Sequence, residues 1–280
     1  MVNTIIIMSL LCSCATTQQK QGESRDADFY LSRGLAYVEK GQYDQAISDY
    51  NQALEINPWF AQAYGNRGLA YVEKGQYDQA ISDYTKALEI SPRLVQAYYN
   101  RGILYAEKGQ HDQAISDFTK TLEINPRLAQ AYYNRGNIHY QKGQYDQAIS
   151  DYTKALEINP RYARAYVNRG IPYAEKGQYD QAISDYTKAL EINPRLAQAY
   201  YNRGIPYAEK GQYDQAISDF TKALEINPGY AGAYYSRGAS YYFKKEYDKS
   251  WDDIKKAQDL GYPVRPEFLD DLRKSSGRQQ

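Results

Sequence analysis

Apolar and polar positions along this chain repeat with two nested periods. In one stretch, Tyr64, Arg67, Gly68 and Tyr71 fall at i, i+3, i+4 and i+7, which puts them on one face of a helix. A second stretch shows Ala80, Ile81, Tyr84, Ala87 and Leu88 at the same helical spacing. The longer period is the step between copies. The phrase from Lys40 to Tyr50 returns at Lys74, Lys108, Lys142, Lys176 and Lys210, each step 34 residues, with His111 in place of the first Tyr of one copy and Phe118 and Phe220 in place of the last Tyr of two. Framed from Ala27, the units run 27–60, 61–94, 95–128, 129–162, 163–196, 197–230 and 231–264 without gaps.

Each unit therefore predicts two helices and two stops. Gly75, just after Lys74, suits the left-handed residue at a helix end. Ser91-Pro92 (Asn-Pro in most units) closes the second helix, because the residue before proline avoids helical geometry. Asp78 falls in the first turn of that helix, where its charge suits the dipole. Pro172 and Pro206 break the pattern from inside a first helix. Each removes a backbone bond to the carbonyl of Asn168 or Asn202, at a cost of about 3 kcal/mol. The segments 168–193 and 202–227 differ at one Tyr/Phe position, so duplication of one tolerated change accounts for both prolines better than a designed kink does.

The period together with Gly68, Tyr71, Ala80, Tyr84, Ala87 and Pro92 resembles the tetratricopeptide repeat pattern, and the likeness covers 27–264. Tyr64 stands where the pattern has Trp, and Arg67 where it has Leu. The fold this implies is all-α: a right-handed superhelical solenoid of seven helix-turn-helix units. The last unit is degraded, as a terminal unit is expected to be, with Lys245 for the turn glycine and Ile254 for the aromatic. Residues 266–274, with Phe268, Leu269 and Leu272 on one side, resemble a capping helix, and 275–280 read as a polar tail.

The departure from the pattern recurs in every unit, as Arg33, Arg67, Arg101, Arg135, Arg169, Arg203 and Arg237. An Asp follows each one sixteen residues later: Asp49, Asp83, Asp117, Asp151, Asp185, Asp219 and Asp253. An antiparallel hairpin would bring the two level, and a buried charge must be compensated, so an ion pair inside each unit is expected. A stripe of Arg gripping an acidic ligand would leave the matching Asp unexplained.

Composition narrows the function. Lys+Arg and Asp+Glu both number 34, giving a formal net charge of zero, whereas phosphate contacts in a nucleic-acid binder need a basic excess. Two His, His111 and His139, starve metal and acid–base sites of their usual ligands, and both replace packing Tyr residues. No phosphate loop, zinc spacing or nucleophile elbow occurs. Neither an enzyme nor a cofactor or metal site is expected.

Both Cys lie near the start. Residues 5–14 are apolar or small, too short to span a bilayer, and Leu11-Cys12-Ser13-Cys14 resembles the lipobox of bacterial lipoproteins. That resemblance implies a signal peptide over 1–13, a lipid on Cys14, and a polar tether over 14–26 that reaches at most about 40 Å. It places the chain at the cell envelope, facing the periplasm or the exterior. The absence of Lys and Arg from Met1-Val2-Asn3-Thr4 leaves a cytoplasmic reading open.

In this family the first helices line a concave groove that commonly binds extended peptides. The resemblance puts Asn66, Asn100, Asn134, Asn168 and Asn202 there, a ladder of amides suited to a peptide backbone. Tyr99, Tyr133, Tyr201 and Tyr235 run beside it, with Ile103, Ile171 and Ile205. Duplication alone could also repeat an asparagine that serves packing within the array. The places that hold clamp cations in carboxylate-binding relatives carry Gln62, Gln96, Gln130 and Gln198, with Arg164 as the sole cation. A protein-binding scaffold is thus expected, and a self-assembling structural array is the alternative.

Overall fold

A computed structural model describes residues 26–277 of the chain. The signal, tether and Cys14 lipidation expected for the N-terminus lie outside the described residues, apart from Asp26. Among those residues there are fifteen helices, fourteen of them in consecutive helix-turn-helix pairs, and no strand. None of these helices is long and apolar enough to cross a membrane.

The chain divides into two compact units, Met1–Ile138 and His139–Gln280. The first holds the hairpins α1 (Ala27–Glu39) with α2 (Tyr43–Ile56), α3 (Ala61–Glu73) with α4 (Tyr77–Ile90), and α5 (Val95–Glu107) with α6 (His111–Ile124). Helix α7 (Ala129–Gln141) straddles the division. The second unit holds α8 (Tyr145–Ile158) and the hairpins α9 (Ala163–Glu175) with α10 (Tyr179–Ile192), α11 (Ala197–Glu209) with α12 (Tyr213–Ile226), and α13 (Ala231–Phe243) with α14 (Tyr247–Asp259). Helix α15 (Pro266–Ser276) packs on α14. Within each unit the second helix of one hairpin also packs on the first helix of the next, so every hairpin is covered by its neighbour.

The sequence pattern explains this packing. In α10 the stripe Ala182, Asp185, Tyr186, Ala189 and Leu190 is buried, and the intervening Ser184, Lys188 and Glu191 are exposed. The alanines bring backbones close and the larger side chains fill the seams. A fully buried Leu contributes about 1.5–3 kcal/mol. The close approach also fixes one glycine: a Cβ on Gly170 would lie 2.5 Å from Cε1 of Tyr186.

The turns follow the expected chemistry, with one exception. Gly75 sits at φ 71° and Gly177 at φ 70°, in the left-handed region. Lys245, which replaces this glycine in the last hairpin, adopts φ 63° all the same. The neighbouring hairpins hold the turn geometry, and the lysine takes up the strain.

The C-terminal helix starts with Pro266 in its first turn and buries Leu272 completely, as its sequence implies. It runs two residues beyond 274, so Ser275 and Ser276 are helical and do not belong to a tail. Gly277 at φ 68° ends it. Phe268 meets the rings of Tyr235 and Tyr242 edge-on at 5.8 and 5.4 Å.

Candidate binding groove

The recurring Arg and Asp meet as expected. Arg169 donates from Nε and one terminal nitrogen to the two carboxylate oxygens of Asp185, at 2.8 and 2.7 Å. Its other terminal nitrogen donates to Thr153 Oγ1, on the preceding hairpin, at 2.9 Å. The same fork joins Arg67 to Asp83 and Asn51, and Arg101 to Asp117 and Thr85. In the second unit it also joins Arg203 to Asp219 and Thr187, and Arg237 to Asp253 and Thr221. Each of these five Arg therefore locks its own hairpin and pins it to the one before, while its guanidinium lies near the Tyr three residues earlier, Tyr166 for Arg169 at 5.7 Å. Burial pushes the Asp185 carboxyl up, and the Arg169 guanidinium pulls it back in part. These groups are consumed in packing and are not free for a ligand.

The asparagines do not form a uniform ladder. Asn66 is 3% exposed and Asn100 4%, so both are buried. Asn100 donates to the Tyr84 hydroxyl at 3.4 Å, and the side-chain oxygens of Asn66 and Asn100 have no partner. Burial thus sets these two apart from an open ladder of amides: Asn100 serves the buried Tyr84 hydroxyl one helix away, while Asn66 leaves both its own oxygen and the matching Tyr50 hydroxyl without a partner. Asn134 and Asn168 are half-buried, and Asn134 donates to the Tyr99 hydroxyl at 3.2 Å. Asn202 is 9% exposed and accepts from Gln198 at 2.7 Å.

The tyrosines split in the same way. Tyr99 is buried edge-on to Phe118 at 5.9 Å, which corrects its expected place at an open surface. Tyr133 is half-buried. Tyr201 is half-buried between Phe220 and Tyr230, with centroids at 5.8 and 4.6 Å, and Tyr235 stacks on Tyr262 at 4.7 Å. Packing between residues far apart in sequence decides each case, so spacing alone could not separate them.

One recess lies on the face made by the first helices of the second unit. It encloses about 480 Å³ between α9, α10 and α11. Ile171, Ala174 and Ile205 give it an apolar wall, and Gln198 and Asn202 supply amides at one end. Glu175, Glu209 and Tyr179 line it too, and so does the Tyr186 ring that rests on Gly170. Asn202, Ile171 and Ile205 were legible as groove positions. Glu175, Glu209 and Tyr186 were missed, because in the repeat they read as a solvated charge and a core ring.

His139 Nδ1 lies 2.7 Å from Gln144 Oε1, and the buried Nδ1 of His111 has no partner. Among the described residues no group of His, Cys, Asp and Glu could hold a metal ion. Arg164 is exposed, as are Gln62 and Gln198, so the described face carries no cluster of cations for a carboxylate clamp.

Comparison with known proteins agrees with this architecture. Models of the tetratricopeptide repeat match residues 95–128, 129–162 and 197–230, and 151–184. A TPR repeat model matches 34–75, 68–109 and 172–210, so that together the matches run from 34 to 230 unbroken. No curated protein matches the chain. Among solved structures, MamA is 33% identical, covering 57% of this chain and 94% of its own, with a TM-score of 0.56. YrrB, described as a TPR protein with an unusual peptide-binding site, is 28% identical over 66% of this chain and 95% of its own, with a TM-score of 0.61. A tetratricopeptide repeat protein from Parabacteroides merdae is 26% identical over 91% of this chain and all of its own, with a TM-score of 0.63.

Proposed function

The chain belongs to the tetratricopeptide repeat family, and from that premise we propose that it is an interaction scaffold holding an extended segment of another protein on the face of its first helices. The recess between α9, α10 and α11 carries this reading. It combines an apolar wall with amides at one end, the combination that binds a peptide's side chains and backbone together. The peptide-binding description of YrrB, a similar fold, points the same way. Zero net charge and the engagement of every described Arg–Asp fork in packing leave protein, and not nucleic acid, as the partner class.

The reading extends to the cell envelope. The lipobox-like Leu11-Cys12-Ser13-Cys14 supports a lipid on Cys14, with the scaffold tethered to a membrane and facing the periplasm or exterior. Metabolic labelling with a fatty acid should mark the full chain and be lost in Cys14→Ala. Label retained by that variant would refute the anchor.

Site-resolved photo-crosslinking tests the groove. A photoreactive residue at Gln198, in the recess, should give discrete protein adducts in cells, whereas one at Glu191, exposed on α10, should not. Equal adducts from both positions would remove the first-helix face as the binding surface.

A further inference from the structure

The recess in the second unit is electrostatically one-sided. Glu175 and Glu209 are exposed on its rim, and neither has an ion-pair partner among the described residues. The lysines that follow them are already committed: Lys176 pairs with Asp146, and Lys210 with Asp180. In the first unit the matching Glu73 at least accepts from the Tyr43 hydroxyl, at 3.3 Å. Arg164 stands at the opposite end of α9, about 16 Å from Glu175 at 1.5 Å rise per residue. That is about twice the screening length at physiological salt. Two carboxylates thus share one recess, neither of them ion-paired among the described residues.

A second observation concerns the wall of the recess. Tyr186 is 2% exposed and lines the recess, and burial and neighbouring charges, with no side-chain hydrogen bond among them, set the state of its hydroxyl. In the first unit the equivalent Tyr84 receives a hydrogen bond from the Asn100 amide nitrogen, whereas the Asn202 side-chain oxygen accepts from Gln198. Burial pushes the Tyr186 hydroxyl up, as do the nearby Asp185 and Glu175 charges, so it stays protonated and keeps oxygen lone pairs for an incoming N–H.

We propose that this recess takes a Lys or Arg side chain of the bound segment, its alkyl stem along Ile171, Ala174 and Ile205 and its charged head between Glu175 and Glu209. The inference rests on the groove reading above and specifies its partner as a basic peptide. The Tyr186 oxygen accepts one N–H of the head, and the one amide N–H of Gln198 left over from its bonds with Asn202 and Tyr230 meets the peptide backbone. A long basic side chain fits this mixture because its stem is apolar and its head is not. An acidic segment would bring like charges together in a partly desolvated site.

Fluorescence anisotropy on the full chain tests this with three labelled peptides of one apolar frame, whose central residue is Lys, Gln or Glu. The Lys peptide should bind about tenfold more tightly than the Gln peptide, and the Glu peptide more weakly than either. Glu175→Gln/Glu209→Gln should erase the Lys preference and leave the Gln peptide unchanged, with circular dichroism confirming the fold. Raising salt from about 50 to about 300 mM should weaken the Lys peptide selectively. Equal binding of Lys and Gln peptides would overturn the basic specificity and leave the groove reading standing. Failure of all three to bind would sink both. Spermidine competing as tightly as the Lys peptide binds would assign the site to a small polycation and overturn the peptide proposal.

Discussion

Arg169 and Asp185 face each other across the α9–α10 hairpin in a two-pronged ion pair, with Nε and one terminal nitrogen each within 2.8 Å of a carboxylate oxygen. The third prong reaches Thr153 on the preceding hairpin. A tetratricopeptide unit ordinarily has Leu where Arg169 stands. The departure exchanges an apolar contact for a polar one that is satisfied on three sides.

Truncating one partner leaves the other charge buried alone, so Arg169→Ala and Asp185→Ala should each cost about 3–5 kcal/mol in chemical denaturation. The double variant should cost about 1–3 kcal/mol less than their sum. Strictly additive losses would show that the two side chains do not support each other.

The same pair predicts a pH effect. Burial raises the Asp185 carboxyl already, and without Arg169 nothing opposes that shift. An acid whose pKa is higher folded than unfolded holds its proton more readily when folded. Its penalty is therefore absent below the unfolded value and grows as pH rises towards the folded one. The deficit of Arg169→Ala relative to the parent should shrink between about pH 7 and about pH 4. A deficit constant across that range would mean that Asp185 is not the source of the loss.

Lys245 adopts a left-handed conformation at the turn where the other hairpins have glycine. Lys245→Gly should stabilise the protein by about 1 kcal/mol, read as a higher denaturation midpoint with unchanged slope. No gain would indicate that the lysine side chain makes up for its backbone.

Pro172 lies inside α9 and is fully buried, so the strain expected from sequence is combined with a packing role that spacing did not show. Pro172→Ala restores a backbone bond to Asn168 but loses ring contacts. It should raise stability by about 1–2 kcal/mol, less than the full proline penalty of about 3 kcal/mol. Pro172→Leu, the residue that Leu104 provides at the same place of α5, should gain at least as much. A fall in melting temperature for both would mean that α9 is built around its proline.

The repeat length, the hairpins, their stops, the capping helix and the Arg–Asp partnership were all legible in the residues. Each rests on local spacing repeated many times, and helical period and turn chemistry are local properties. Tertiary structure decided what spacing cannot. Asn66 and Asn202 hold the same place in their units, yet one is buried with an unpartnered side-chain oxygen and the other lines a recess. Tyr84 and Tyr186 are matched in sequence, but only Tyr84 has an asparagine donor. Those differences arise because exposure and hydrogen bonding depend on which neighbouring hairpin supplies the partner atoms. A side chain's place within its own helix does not contain that information.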